Sequence, residues 1–129
     1  YAVRAMEQIS RDALAEAGRA PEDLVALIPH QANSRIINAT AERLGVPVEK
    51  VMMNIERYGN TSAASVPILL DEVVRAGQIK DMDLIELVAF GGGVTWGAGV
   101  IEWNPKAAWP ITGREARSSI AAVKTGAPA

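Results

Sequence analysis

The chain contains no cysteine and a single histidine, His30, among its 129 residues. Without cysteine it has no disulfide, no cysteine-ligated metal and no thiol nucleophile of its own. One histidine likewise excludes a multi-histidine metal centre. No apolar run approaches the ~20 residues that a membrane-spanning helix requires, and the N-terminus lacks a basic segment followed by an apolar one. A cytoplasmic protein is therefore expected. Charge of one sign is also lacking, since 13 basic residues face 15 acidic ones for a net charge of −2. That balance gives no footprint of nucleic-acid binding. All the acidic residues except Glu115 precede residue 104, so the last stretch is basic. Tyr1 stands where a start methionine would, and the chain reads as a fragment or a processed piece.

What is present is the composition of one folded domain, 49% hydrophobic and 22% charged, within the range of chains that bury a core. Val3, Met6, Ile9, Ala13 and Ala17 recur in steps of three and four, predicting a helix that Gly18 stops. Pro21-Glu22-Asp23 reads as a turn, and Leu24 to Ile28 as a buried strand ended by Pro29. A second helix is expected from Ser34 to Leu44, capped by Asn33 or Ser34 and stopped by Gly45. Val51 to Ile55 reads as a strand. Thr61 or Ser62 should cap a third helix carrying the Val66, Leu69, Leu70, Val73 and Val74 stripe to Gly77, with Pro67 bending it one turn in. Leu84 to Phe90 and Trp96 to Trp103 read as strands joined by Gly91-Gly92-Gly93.

The order α-β-α-β-α-β-β predicts an α/β domain over residues 1–103, with helices packed on a mostly parallel sheet and an antiparallel final pair. Residues 104–129, rich in Ala, Gly, Pro and Ser, read as a mobile tail. Its one ordered possibility is a short helix opened by Thr112-Gly113-Arg114-Glu115, which has capping spacing.

Three constellations follow predicted strands: His30-Gln31-Ala32-Asn33, Gly59-Asn60-Thr61-Ser62 and Gly91-Gly92-Gly93. Sheets of this class place ligands at that edge. His30 and Asn60 are hydrogen-bond donors, and glycines let backbone N–H groups approach a substrate, a set suited to an oxyanion. Each also has a plain structural reading: a half-buried histidine, a turn asparagine, a tight hairpin.

The strings P-H-Q-A-N at 29–33, N-I-E-R-Y-G-N-T-S-A-A-S-V-P at 54–67 and A-F-G-G-G-V-T-W-G at 89–97 go further. In order and spacing they resemble the C-terminal part of the β-ketoacyl-acyl carrier protein synthase III family, condensing enzymes of thiolase-like fold. The resemblance covers residues 1–103. It implies the C-terminal half of a two-half fold whose nucleophilic cysteine lies in the other half. The implied chemistry moves an acyl group from acyl-coenzyme A to that cysteine, then joins it to malonyl-acyl carrier protein with loss of carbon dioxide, starting fatty-acid synthesis. On this resemblance His30 and Asn60 are the catalytic donors, Gly92 supplies an oxyanion N–H and Phe90 lines the pocket. Asn33 lies near the pantetheine arm, and Gln31 and Arg35 dock the acidic carrier; Arg43, about two turns along the second helix, adds a charge to that patch, with a solvated helix face as the plain reading of both arginines. Acyl-coenzyme A and malonyl-carrier protein are substrates, and no cofactor or metal is implied. The missing N-terminal half is an implied partner, and the family resembles a homodimer.

The chain lacks the half that bears the cysteine and the strand pair that opens the second half. Taken alone it should not catalyse condensation, and the faces left without that half should be apolar. A noncatalytic module that holds coenzyme A or carrier and works with another chain is the alternative. An unrelated nucleotide-binding domain fits poorly, because G-x-G-x-x-G spacing and a phosphate-loop lysine are both absent.

Overall fold

The computed structural model describes residues 1–104 and 120–127. The elements, in chain order, are α1 (Ala2–Glu16), β1 (Ala26–Pro29), α2 (Ser34–Leu44), α3 (Ile55–Tyr58), α4 (Ser65–Arg75), β2 (Leu84–Gly91), β3 (Thr95–Glu102) and β4 (Ile120–Gly126), with single 3-10 turns at 21–23, 48–50 and 62–64. The four strands form one sheet in the order β1-β2-β3-β4.

Because successive strand residues point to opposite faces, the sheet carries two apolar surfaces. One takes α1 and α2: Met6, Ile9, Ala13 and Leu14 of α1 and Ile37, Ala41 and Leu44 of α2 pack on Leu27, Leu84, Val88, Ala98 and Val100. The other takes α4, whose Leu69 and Val73 meet Ala26, Ile28 and Ile85. Helix α2 has the expected bounds, since its start and stop are written locally. Asn33 Oδ1 accepts the N–H of Arg35, and Gly45 closes the helix at φ 78°, in the left-handed region that suits glycine.

Four expectations need correction. The sheet is mixed, not mostly parallel: β1–β2 is parallel, but β2–β3 and β3–β4 are antiparallel. Residues 51–55 do not form a strand. Val51 makes one parallel bridge to Leu27, after which the chain turns into α3, because the side chain of Gln31 takes the N–H groups of Asn54 and Ile55. Helix α4 begins at Ser65 and not at Thr61 or Ser62, neither of which gives a side-chain cap. Pro67 thus falls in the first turn, where a missing N–H breaks no bond within the helix. Finally, residues 120–126 of the supposed tail are a strand paired to β3. The segment I-A-A-V-K-T-G carries strand-favouring Ile, Val and Thr among small residues, and the exposed N–H and C=O row of β3 supplies its partners. The possible helix at Thr112 lies outside the described residues.

Candidate active site

At the edge where β1 ends and β2 turns into β3 lies an open cavity of ≈ 1150 Å³. His30 reaches it from the end of β1, Asn60 and Ser62 from the turn before α4, and Phe90, Gly91 and Gly92 from the end of β2. The proposed donors His30 and Asn60, the pocket residue Phe90 and the proposed oxyanion residue Gly92 therefore share one cavity. A side chain at Gly91 or Gly92 would meet open space, so backbone at this rim is accessible to a ligand.

His30 is pinned from both ends. Its backbone N–H donates to Val88 O at 2.7 Å, locking the end of β1 to β2, and its ring Nδ1 lies 2.6 Å from Ser65 Oγ. Ser65 is buried, and its Oγ also accepts the Gln31 N–H at 3.1 Å. With a lone pair so occupied, the serine hydrogen is free to point at Nδ1, which leaves Nε2 as the N–H donor of a neutral ring. Burial pulls the His30 pKa below the ordinary imidazole value, which favours that neutral form. A donor without net charge is a means of stabilising developing negative charge.

Asn60 is aimed by the chain before it. Its Oδ1 accepts the Ser62 N–H at 2.9 Å, so the carboxamide oxygen is engaged and the NH₂ remains as a donor. Gly59, which closes α3, has φ 65° and ψ −159°, a combination essentially confined to glycine. The short α3 is held to α4 by Glu72. That carboxylate accepts from Asn54 Nδ2 at 2.8 Å, from both terminal nitrogens of Arg57 at 3.1 and 2.9 Å, and from Tyr58 Oη at 2.6 Å. The Tyr58 hydroxyl, then Asn54, hold the Glu72 carboxyl below its usual range, while the same contact raises the Tyr58 hydroxyl.

Phe90 belongs to an aromatic group that periodicity did not foretell. Its ring stacks on Trp96 at 6.1 Å between centroids, and Tyr1 stands edge-on to both at 6.2 and 5.7 Å. Trp96 also lines the cavity.

The resemblance's docking set divides. Gln31 is fully buried. Its Nε2 donates to Pro29 O at 2.8 Å while its Oε1 accepts from Asn54 and Ile55, so its side chain cannot meet a carrier. Arg43 is drawn into an ion pair with Glu7, which offsets its charge. Arg35 is exposed on the first turn of α2. Asn33 is also exposed, but its Oδ1 is engaged as the helix cap. Sequence reasoning missed Ser65 and Glu72, whose roles depend on tertiary contacts from segments 35 and 14 or more residues away. No group of three or more metal-ligating side chains occurs among the described residues, and no described helix is long and apolar enough to cross a membrane.

A family model described as 3-oxoacyl-[acyl-carrier-protein (ACP)] synthase III C terminal matches residues 14–103. The chain is 55% identical over 102 residues to the beta-ketoacyl-[acyl-carrier-protein] synthase III of Aquifex aeolicus, covering 79% of this chain and 33% of that protein. It is 56% identical over 103 residues to the enzyme of the same name from Desulfotalea psychrophila, with 80% and 32% covered. The crystal structure of the Aquifex aeolicus 3-oxoacyl-[acyl-carrier-protein] synthase III aligns with a TM-score of 0.78 at 54% identity, over 78% of this chain and 33% of that one. The Thermus thermophilus synthase III also aligns at 0.78, with 51% identity over 80% and 32%. The chain thus spans about a third of the length of these relatives. The expected thiolase-like α/β class holds, with the mixed sheet described above.

Proposed function

Since this chain belongs to the 3-oxoacyl-[acyl-carrier-protein] synthase III C-terminal family, we propose that it supplies the His30 and Asn60 donors of a decarboxylating condensation that joins an acyl group to malonyl-acyl carrier protein. The product is a 3-oxoacyl-carrier protein, and the acyl group comes from acyl-coenzyme A. The observation that carries this reading is the convergence of His30, Asn60 and the Gly91–Gly92 backbone on one open cavity.

The chemistry follows from the donors. When the malonyl C–C bond breaks and carbon dioxide leaves, its electron pair enters the thioester as an enolate, with negative charge on the oxygen. The His30 Nε2–H and the Asn60 Nδ2–H are fixed beforehand by Ser65 and by Ser62, so they can accept that charge without reorganising. The enolate carbon then attacks the acyl thioester, and the thiolate that held the acyl group leaves. Gly92 at the same cavity supplies, on this reading, a backbone N–H for the oxyanion of acyl transfer.

The thiol that carries the acyl group has to come from elsewhere, because the sequence holds no cysteine. That absence favours a second reading, a noncatalytic module that holds the coenzyme or carrier for another chain. Mixing the chain with a separately made N-terminal portion of a relative separates the two. We expect malonyl-dependent condensation from the mixture and none from either part. Loss of the His30 donor in His30→Ala should lower the mixture's rate by about two orders of magnitude or more. A mixture that binds coenzyme A yet never condenses would leave only the binding module.

Docking of an acidic carrier falls to Arg35, since Gln31 is buried and Arg43 is paired. The Arg35→Glu variant should bind carrier more weakly, and raising salt should weaken the parent in the same direction. Titrations at two ionic strengths check this. Unchanged affinity in both would make Arg35 a solvated surface residue.

A further inference from the structure

Strand β4 lies beyond residue 103, where the family match stops, yet Thr125, Gly126 and the following Ala127 line the candidate cavity. Three contacts hold it there. Ala122 is buried in the core that α1 covers, and Lys124 forms an ion pair with Glu16 of α1. Gly126 is the register partner of Trp96.

The third contact leaves no room for a side chain. A Cβ at position 126 would stand 2.2 Å from Trp96 Nε1 and 2.6 Å from Cε2, far inside any van der Waals separation. The indole therefore lies over the Gly126 backbone. On the β2 side it stacks on Phe90 with an interplanar angle of 12°, and Tyr1 stands edge-on to it. Phe90, Trp96 and Gly126 are successive partners across β2, β3 and β4. Anything that pushes the indole off β4 drives it toward Phe90, across the aromatic end of the cavity. Glycine weakens an edge strand, and a cross-strand aromatic ring laid over it restores packing.

We propose that β4 is a working wall of the cavity and that Gly126 is a positioning residue: by admitting the Trp96 indole, it keeps that ring back from Phe90 and sets the width available to an aliphatic acyl chain. The acyl assignment rests on the function proposed above, whereas the seating of Trp96 does not. Gly126 touches no reacting atom and acts through Trp96.

The whole chain labelled with 5-fluorotryptophan tests the seat without any ligand. Its three tryptophans give three fluorine resonances, and Trp96→Leu identifies the relevant one. In Gly126→Ala the Trp96 resonance should move while that of Trp103 stays, and Tm should fall by about 5 °C, as expected for an overpacked contact. Removing the indole should abolish the penalty, so that Gly126→Ala leaves Tm within about 1 °C in the Trp96→Leu background or, should that variant not fold, in Trp96→Phe. An unmoved Trp96 resonance, or an equal loss of Tm with and without the indole, overturns the seat. Binding of acetyl- and octanoyl-coenzyme A then tests width. Gly126→Ala should weaken the longer thioester relative to the shorter by on the order of tenfold, and an unchanged ratio overturns the width role. If the parent binds neither thioester, the acyl reading fails while the fluorine result still decides the seat.

Discussion

Gln31→Ala should lower the unfolding free energy by about 4 kcal/mol, because it strands three polar groups at once, two of them buried and one half-buried, each worth roughly 1 to 3 kcal/mol when left unpaired. The Pro29 carbonyl loses its donor, and the N–H groups of Asn54 and Ile55 lose their shared acceptor. Asn54 is itself 2% exposed, so water cannot readily replace the lost partner. The damage should also reach the site. Gln31 turns the backbone into α3, which leads through Gly59 to Asn60, so the Asn60 donor should lose its fixed direction. Urea unfolding measures the first effect. A change within about 0.5 kcal/mol, the range of ordinary surface substitutions, would return Gln31 to the surface role that the resemblance implied.

Glu86→Leu should do the opposite and stabilise the fold, most strongly at alkaline pH. Glu86 lies on β2 between Leu27 and Val100 in register. It is 0% exposed, and neither carboxylate oxygen has a hydrogen-bond partner. Burial pushes its pKa up to about 7, offset in small part by the nearby Ser10 hydroxyl, which itself closes no hydrogen bond. The folded state therefore holds the proton more tightly than the unfolded chain, whose carboxyl titrates near 4.5. Stability contributed by Glu86 is present in full below 4.5, falls as pH rises to about 7, and is then level. The span corresponds to about 3 kcal/mol. Unfolding curves at pH 4 and pH 8 should show the gain from Glu86→Leu growing by that order between them. A gain independent of pH would mean that the carboxyl escapes to water or finds a partner.

These two residues also mark where sequence reasoning stops. Helix α2 was legible because Asn33, the apolar stripe and Gly45 act within a few positions of one another. The His30, Asn60 and Gly92 strings were legible because each carries its spacing with it, and their place after predicted strands pointed to one sheet edge, although the 51–55 strand on which Asn60 was hung does not form. Val51 to Ile55 has strand-like composition, but the side chain of a residue some twenty positions earlier takes its N–H groups and bends it away from the sheet. Gln31 looked like part of a surface loop for the same reason: its partners are remote. Strand β4 was hidden by the Ala-, Gly-, Pro- and Ser-rich composition of the stretch around it, although its own Ile120, Val123 and Thr125 favour a strand, and it is fixed by pairing with β3. Glu86 could have been noticed, since one acidic residue inside the apolar run from Leu84 to Phe90 falls on the same strand face as Leu84 and Val88.

The parallel pairing of β1 with β2 sets the order in which the molecule can assemble. Ala26 meets Ile85 across the whole of α2, α3 and α4, whereas β2 and β3 are joined by a short turn. Hairpins and helices form in microseconds from neighbouring residues, but a contact between distant segments waits for closure of the loop between them. The bond from the His30 N–H to the Val88 carbonyl belongs to that late closure. The β2–β3 hairpin, with Gly92 and the aromatic stack of Phe90 on Trp96, precedes it. Amide exchange pulse-labelled during refolding should protect β2 and β3 first and His30 afterwards, so that the refolding chain has the cavity's aromatic wall before the histidine is set in it.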